Sequence, residues 1–445
     1  MSQNDRSGDS RNVYDTLKER GFVKQVTDEG AVRKHFAESR VTGYVGFDPT
    51  ADSLHVGNLL GLMALAHLQR AGHRPIAIIG DGTAMIGDPS GKTEMRQMLT
   101  SERIQENAKK IKAQVNRYFK IDGKNGLAVH NATWLLNLRY IDVLRDVGRH
   151  FSVNRMLTAE SYKIRLQTGL SFLEFNYQIL QAYDFLKLYE KYNCILQMGG
   201  DDQWGNIIAG VDLIRRVTRA EAEGITWPLL TTSGGQKMGK TASGAVWLDA
   251  AKTSPYEFYQ FWINSDDRDV KRFLAYYTFL PKEEIERLGK LEGADIRVAK
   301  ETLAFEATKI THGEEEAEKA RQASKSAFGG GHVRPSTEGD DLGGTMDPAL
   351  DGMPSSKIEK SRLAAGILAV DLFAEVGLAK SKSAARRLIQ QGGAYINQKK
   401  VENIEVTIDL SDIEVDRSGP AEPERDEHLM LRAGKKRYHR LIVEP

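Results

Sequence analysis

The sequence predicts an α/β protein: a parallel sheet covered by helices, then an α-helical stretch and a small basic α+β domain. Three observations predict it. Short apolar runs alternate with helix-periodic segments through the first half. The composition changes at Ser254 to a succession of helical segments, and a Gly- and Pro-rich stretch then precedes a last segment in which Lys and Arg cluster. At 445 residues the chain has room for two or three domains, at about 100 to 200 residues each.

Residues 42–47 read as the first apolar strand. A loop containing Pro49 leads into a helix on which Leu59, Leu62, Met63 and Ala66 recur at helical spacing. Residues 75–80 and 194–199 read as further strands, and 227–230 as another. Between the second and third strands, residues 98–190 form a mostly helical segment too long for a simple crossover. Pro255 suits the first turn of a helix with Phe258, Phe261 and Trp262 on one face. Residues 329–357 contain Gly329-Gly330-Gly331, Gly343-Gly344, Pro335, Pro348 and Pro354, a composition that cannot bury enough apolar surface to fold. The expected division is therefore a sheet domain over 1–252 with its insertion at 98–190, helices over 253–328, a linker over 329–357, and a domain of two helices and several strands over 358–445.

A net charge of +1 carries no global sign of nucleic-acid binding, so any RNA contact must come from local clusters. The single cysteine, Cys194, excludes an intramolecular disulfide and a multi-thiolate zinc site. Residues 1–11 are polar with mixed charge, and no run of about 18 apolar residues occurs. A cytoplasmic protein without membrane association is expected.

Two short segments suggest nucleotide chemistry. His55-Val56-Gly57-Asn58 falls where a strand gives way to a helix, and there unpaired N–H groups and the helix dipole favour phosphate. Taken alone, His55 reads first as a surface or helix-capping residue; upstream, Thr50 shifts the balance with a phosphate-facing hydroxyl and Asp48 with a carboxylate that could meet an amine. Lys237-Met238-Gly239-Lys240-Thr241 follows Gly234-Gly235, so two ammonium groups lie in a loop able to close on a triphosphate. A solvated basic loop is the alternative, disfavoured by the apolar flanks at 227–230 and 246–248. Gly87-Asp88-Pro89-Ser90-Gly91-Lys92-Thr93 is not a P-loop, because the required first glycine falls on Ile86.

Tyr177, Gln181 and Asp184 stand at i, i+4 and i+7, on one face of a helix. Such a face is commonly a solvated stripe. Here Phe172, Phe175, Ile179, Leu180 and Phe185 make the helix apolar over much of its circumference, so its polar groups are expected to be buried and to need partners, of which a ligand is one.

Taken together, the segments 44–55, 87–92, 177–184, Gly199-Gly200-Asp201-Asp202-Gln203-Trp204-Gly205-Asn206, 237–241 and 254–262 resemble the bacterial-type tyrosyl-tRNA synthetases of class I over nearly the whole chain. The resemblance implies a Rossmann-like catalytic domain, tyrosine activation by ATP with Mg2+ as a substrate pair, no tightly bound prosthetic group, no assigned protein metal ligand, transfer to tRNA(Tyr), and a homodimer. It implies that Tyr44 and Asp184 bind the substrate phenol, and that Asp88, Tyr177 and Gln181 bind its ammonium. Gln203 and Asp48 would face the carboxylate and adenylate, with Gly200 and Asp202 at the ribose. His55, Asn58, Thr50, Lys237, Lys240 and Thr241 would stabilise the reacting phosphate, and Lys92 and Arg96 would guide the tRNA 3′ end. The departures are Asn58 and K-M-G-K-T, where the class pattern has H-I-G-H-like and K-M-S-K-S forms, and Asp201 where serine is usual.

Residues 376–401 hold Lys380, Lys382, Arg386, Arg387, Lys399 and Lys400 without one acidic residue, and Arg432, Lys435, Lys436, Arg437 and Arg440 form a second cluster. Clustered charge of one sign is a footprint for phosphate backbone; a solvated basic helix is the alternative. Residues 377–397 resemble an S4-type RNA-binding domain. Two other functions compete: a different class I nucleotidyltransferase, and an RNA-binding protein that keeps the synthetase fold. The first is expected to be shorter and to lack the 177–184 helix, and the second to lack intact His55, Asp88 and Asp184.

Overall fold

The computed structural model describes residues 12–90, 99–233, 238–241, 244–328, 354–397, 399–415, 427–434 and 437–444. They fall into two compact units, residues 1–253 with 265–303 and residues 254–264 with 304–445.

In the first unit the sheet strands are β1 (Gln25–Val26), β2 (Thr42–Phe47), β3 (Arg74–Ile79), β4 (Leu127–His130), β5 (Cys194–Gly200) and β6 (Glu223–Trp227), in the spatial order β1-β6-β5-β2-β3-β4. All neighbours are parallel except β1 with β6. The strands expected at 42–47, 75–80 and 194–199 are present within a residue or so, whereas the strand sought at 227–230 ends at Trp227. It begins at Glu223-Gly224, which hides it from a search for apolar runs even though all five residues are buried. β4 lies inside the segment read as helical; four residues are too few to show a period of two.

The Val56–Arg70 helix buries Leu59, Leu60, Leu62, Met63, Leu65 and Leu68, more than one face. It packs on β2 and β3 on one side and against the Val13–Glu19 and Asp267–Tyr277 helices on the other, which explains an apolar surface most of the way round. Arg20 fastens this layer: Nη1 donates to the carbonyls of Ala275 (2.9 Å) and Thr278 (2.8 Å), at the open end of the Asp267–Tyr277 helix.

In the second unit the Pro255–Ile263 helix has Pro255 in its first turn and a capping box between Ser254 and Glu257. Phe258 and Trp262 are fully buried, and this helix packs along Glu314–Phe328. The C-terminal sheet contains β9 (Ser355–Glu359), β11 (Ala394–Ile396), β12 (Lys399–Lys400), β14 (Glu414–Val415), β15 (Glu427–Ala433) and β16 (Arg437–Glu444), with the short pair β10 (Ile367–Leu368) and β13 (Thr407–Ile408) beside it. Its core joins Leu372 and Phe373 of the Ala369–Glu375 helix, Ile389 of the Lys382–Gln390 helix, and Leu429 and Leu431 of β15.

Candidate active site

β2 delivers the chain at the middle of the sheet, and after residues 48–54 His55 begins the Val56–Arg70 helix as its N-cap. Its Nδ1 accepts from the Gly57 N–H at 3.0 Å, and Asn58 Oδ1 accepts from the His55 N–H at 3.1 Å. Capping and phosphate binding, set as alternatives by the sequence, are compatible: with Nδ1 accepting, the neutral ring carries its proton on Nε2 and presents a donor.

The second motif lies against the first, backbone to backbone. The Val56 N–H donates to the Val246 carbonyl, the Leu248 N–H to Leu54, the Val246 N–H to Gly239 and the Met238 N–H to Leu230, each at 2.9 Å. Gly239 has φ +79°, and a Cβ there would stand 2.9 Å from the Gly57 nitrogen. Both facts demand glycine, a physical reason for K-M-G-K-T in place of serine. Lys240 and Thr241 form β7, paired with β8 (Gly244–Ala245). Lys237, Lys92 and Arg96 lie outside the described residues.

The Phe172–Tyr192 helix is capped by Ser171 and Glu174. Tyr177 and Asp184 are buried, Gln181 partly so, and Phe172, expected within the apolar surround, is 70% exposed in the first turn. Asp184 is 3% exposed. Trp134 Nε1 donates to its Oδ1 at 2.7 Å and Asn131 Nδ2 to its Oδ2 at 2.8 Å. Burial pushes the carboxyl up to about 7, against the pull of Asn131 and Trp134 and with help from Asp48 and Asp81. In the same core cluster the Tyr44 hydroxyl is buried with no hydrogen-bond partner among the described residues. Burial, reinforced by Asp184, holds that phenol well above the usual tyrosine range.

Asn131 and Trp134 were not found by sequence reasoning. They lie 53 and 50 residues before Asp184, just past β4, and the one available signal is a short strand ending at His130. Asn131 also accepts from the Gly82 N–H (2.8 Å) and donates to Thr83 Oγ1 (3.0 Å), and Thr83 Oγ1 donates to Asp48 Oδ1 (2.8 Å). The Tyr177 hydroxyl donates to Asp48 Oδ2 at 3.0 Å. One continuous polar chain thus runs from Asp184 to Tyr177.

Beside it, Gln203 Nε2 donates to Asp88 Oδ2 (2.8 Å), and Asn206 Nδ2 donates to both Gln181 Oε1 and Gln203 Oε1 at 3.1 Å. Asp202 folds back over the end of β5, where a Cβ on Gly200 would stand 2.7 Å from its Oδ1. Thr50 is exposed at the rim, its N–H donating to the Asp48 carbonyl. A separate cavity of about 610 Å³ opens beside Asp202, Trp204, Met156 and Arg155 and does not include Tyr44 or Asp184 among its walls. Of the catalytic-domain residues singled out by sequence, Asp48, His55, Asn58, Asp88, Gly200, Asp202 and Gln203 follow or close the C-terminal ends of β2, β3 and β5, where open α/β sheets take ligands; Tyr44 lies within β2, and Tyr177, Gln181 and Asp184 lie on the Phe172–Tyr192 helix.

At the basic end Arg386 and Arg387 are exposed on the Lys382–Gln390 helix, and Lys382 pairs with Asp371 at 2.9 Å. Arg440, counted in the second cluster, is only 4% exposed, because β16 turns it inward, and Arg432 stacks 3.9 Å over the Tyr395 ring. Lys435 and Lys436 lie outside the described residues.

A capped helix start after a central parallel strand, clamped by a second glycine motif beside a buried polar chain, defines a class I synthetase site. The family described as class I tRNA synthetases (W and Y) matches residues 37–329, and the tyrosine--tRNA ligase SYY-like C-terminal domain matches residues 345–441. The chain is 53% identical over 438 residues to the tyrosine--tRNA ligase of Desulfosudis oleivorans, covering 97% of this chain and 99% of that one. It is 52% identical over 433 residues to that of Clostridium botulinum strain Loch Maree, covering 97% and 100%. Among solved structures, a C-terminally truncated mitochondrial tyrosyl-tRNA synthetase from Aspergillus nidulans superposes with a TM-score of 0.65 at 31% identity, over 72% of this chain and 94% of that one. The chain belongs to the tyrosyl-tRNA synthetase family.

Proposed function

We propose that the chain is a tyrosine--tRNA ligase that joins L-tyrosine to ATP and then to the 3′ end of tRNA(Tyr). The observation that carries the substrate is Asp184. A buried carboxylate held by two donors, next to an unpartnered Tyr44 hydroxyl, offers an acceptor and a second hydroxyl to a phenol. Phenylalanine would leave the Tyr44 hydroxyl unpaired and the carboxylate one donor short in a dry site.

Asp88, Tyr177 and Gln181 receive the ammonium, Gln203 and Asp48 the carboxylate and adenylate, and Gly200 and Asp202 the ribose. The ionised tyrosine carboxylate attacks the α-phosphorus directly and pyrophosphate leaves, so no general base is required. Catalysis is positioning plus charge stabilisation by His55, Asn58, Thr50, Lys237, Lys240 and Thr241. A ribose hydroxyl at the tRNA end then attacks the carbonyl carbon and AMP leaves, with Lys92 and Arg96 guiding that end. Magnesium arrives with ATP. The division 1–252, 253–328, 329–357 and 358–445, corrected so that the last part begins with β9 (Ser355–Glu359), assigns activation to the first part and RNA binding to the rest. No helix among the described residues is long and apolar enough to cross a membrane, and a cytoplasmic location follows the function.

Tyrosine-dependent exchange of pyrophosphate into ATP is the test. Full exchange with another amino acid and none with tyrosine would overturn the substrate.

Arg386 and Arg387, with Lys382, Lys435 and Lys436, contact the RNA backbone. The exposure of Lys382, Arg386 and Arg387 on one basic helix supports this. The double change Arg386→Gln, Arg387→Gln is expected to raise the KM for tRNA about tenfold or more at 150 mM salt, two phosphate contacts being lost, while exchange stays unchanged. Equal loss of both activities would refute this division.

A homodimer is proposed through residues 98–190, because Leu136, Tyr140, Ile141, Val153, Leu166 and Phe172 are all more than half exposed there, a patch of the kind that marks an interface. Phe172→Asp should give a monomer by light scattering at micromolar concentration; a persistent dimer would move the interface elsewhere.

A further inference from the structure

Asp201 occupies a position where this chain departs from the residue usual in the resemblance, directly before the Asp202 assigned to the ribose. Two adjacent carboxylates beside a nucleotide would oppose its phosphates. The structure separates them. Asp202 folds over Gly200, whereas Asp201 turns toward β1. Lys24 Nζ donates to its Oδ2 at 2.6 Å, Gln25 Nε2 donates to its Oδ1 at 2.6 Å, and Thr226 Oγ1 donates to Oδ1 at 3.1 Å. Gln25 and Val26 pair with Thr226 and Ile225, and the Lys24 N–H donates to the Thr226 carbonyl. One carboxylate thereby ties the edge strand, β6 and the 201–203 turn that follows β5. Burial works against the charged form of Asp201, and the three donors with the Lys24 charge outweigh it and lower its titration.

We infer that Asp201 is a positioning residue for the nucleotide: tethered to Lys24, Gln25 and Thr226, it holds the turn that presents Asp202 to the ribose, with its own charge paired to Lys24. The effect falls on the nucleotide and not on tyrosine, because Gln203 in the same turn has its own bonds to Asp88 and Asn206. The two-residue β1 shows why the tether is needed: its pairing alone is too short to fix the turn beside it.

The inference rests on the proposed activity and is tested in the full chain with Lys24→Met and Asp201→Asn. The lysine is half exposed, and the amide retains an acceptor for Gln25 and Thr226. Pyrophosphate exchange is measured with ATP and tyrosine varied in turn. Each variant is expected to raise the KM for ATP about three- to tenfold, the range of a partly exposed charge-assisted contact, with the KM for tyrosine and the thermal midpoint unchanged. The double variant should be no worse than the worse single one, since both break one contact. A parallel rise in both KM values, a fallen midpoint, additive effects, or an unchanged KM for ATP would each overturn the inference. A wild-type chain without tyrosine-dependent exchange would instead sink the functional reading beneath it.

Discussion

Asp184→Asn is expected to cut the preference for tyrosine over phenylalanine by about 10- to 100-fold, the value of a hydrogen bond to a charged group. The loss has two parts. The phenol loses a charged acceptor, and the amide cannot accept from both Trp134 Nε1 and Asn131 Nδ2, so its NH2 must face one of those donors. Competitive exchange kinetics with the two amino acids measure it, and an unchanged preference would refute the account of the phenol. The same group makes a pH prediction. Its folded value of about 7 stands above the 3.8 of an ordinary aspartate, so the fold favours the neutral acid. Stability referred to this group falls as pH rises from about 4 to about 7 and is level above that. Tyrosine binding runs the other way, since the ionised acceptor forms only as pH rises through about 7. Tyrosine affinity, followed by intrinsic fluorescence, should therefore weaken below pH 7, while phenylalanine affinity should not.

His55→Ala should lower kcat for adenylate formation about 100-fold or more with little change in either KM, the signature of a donor used in the transition state. It should also cost about 1 kcal/mol of stability, because the Gly57 N–H loses its cap. His55→Asn separates the two roles. A side-chain oxygen can replace Nδ1 as the cap, yet no group replaces Nε2–H, so stability should recover and kcat should not. Recovery of both would reduce His55 to a capping residue.

The strands β2, β3 and β5, the Val56–Arg70 helix and the Pro255 helix start were legible because each carries its signal within a few residues: an apolar run, a period near 3.6, a capping box. β1, β4 and β6 were not, being two, four and five residues long, with β6 opening on Glu223-Gly224. The side chains of the candidate site show the same division. His55, Asp88, Tyr177, Gln181 and Asp184 stand in motifs dense enough to be named from sequence, whereas Asn131, Trp134 and Thr83 stand in none. Phe172 and Arg440 were misplaced because spacing gives a face and not its surroundings: Phe172 lies in a first turn left uncovered, and Arg440 lies on a covered face of its sheet.

The sequence by itself determined the class of chemistry, the family and the candidate residues for the tyrosine site, since motif residues are encoded by type and local spacing. Only the tertiary structure decided that the two glycine motifs meet backbone to backbone at Gly57 and Gly239, that Asp184 is held by donors about fifty residues away, and that Asp201 faces Lys24. Those facts depend on which strand lies beside which, and strand order arises from the burial of whole faces, a sum over contacts distant in sequence that no local pattern contains.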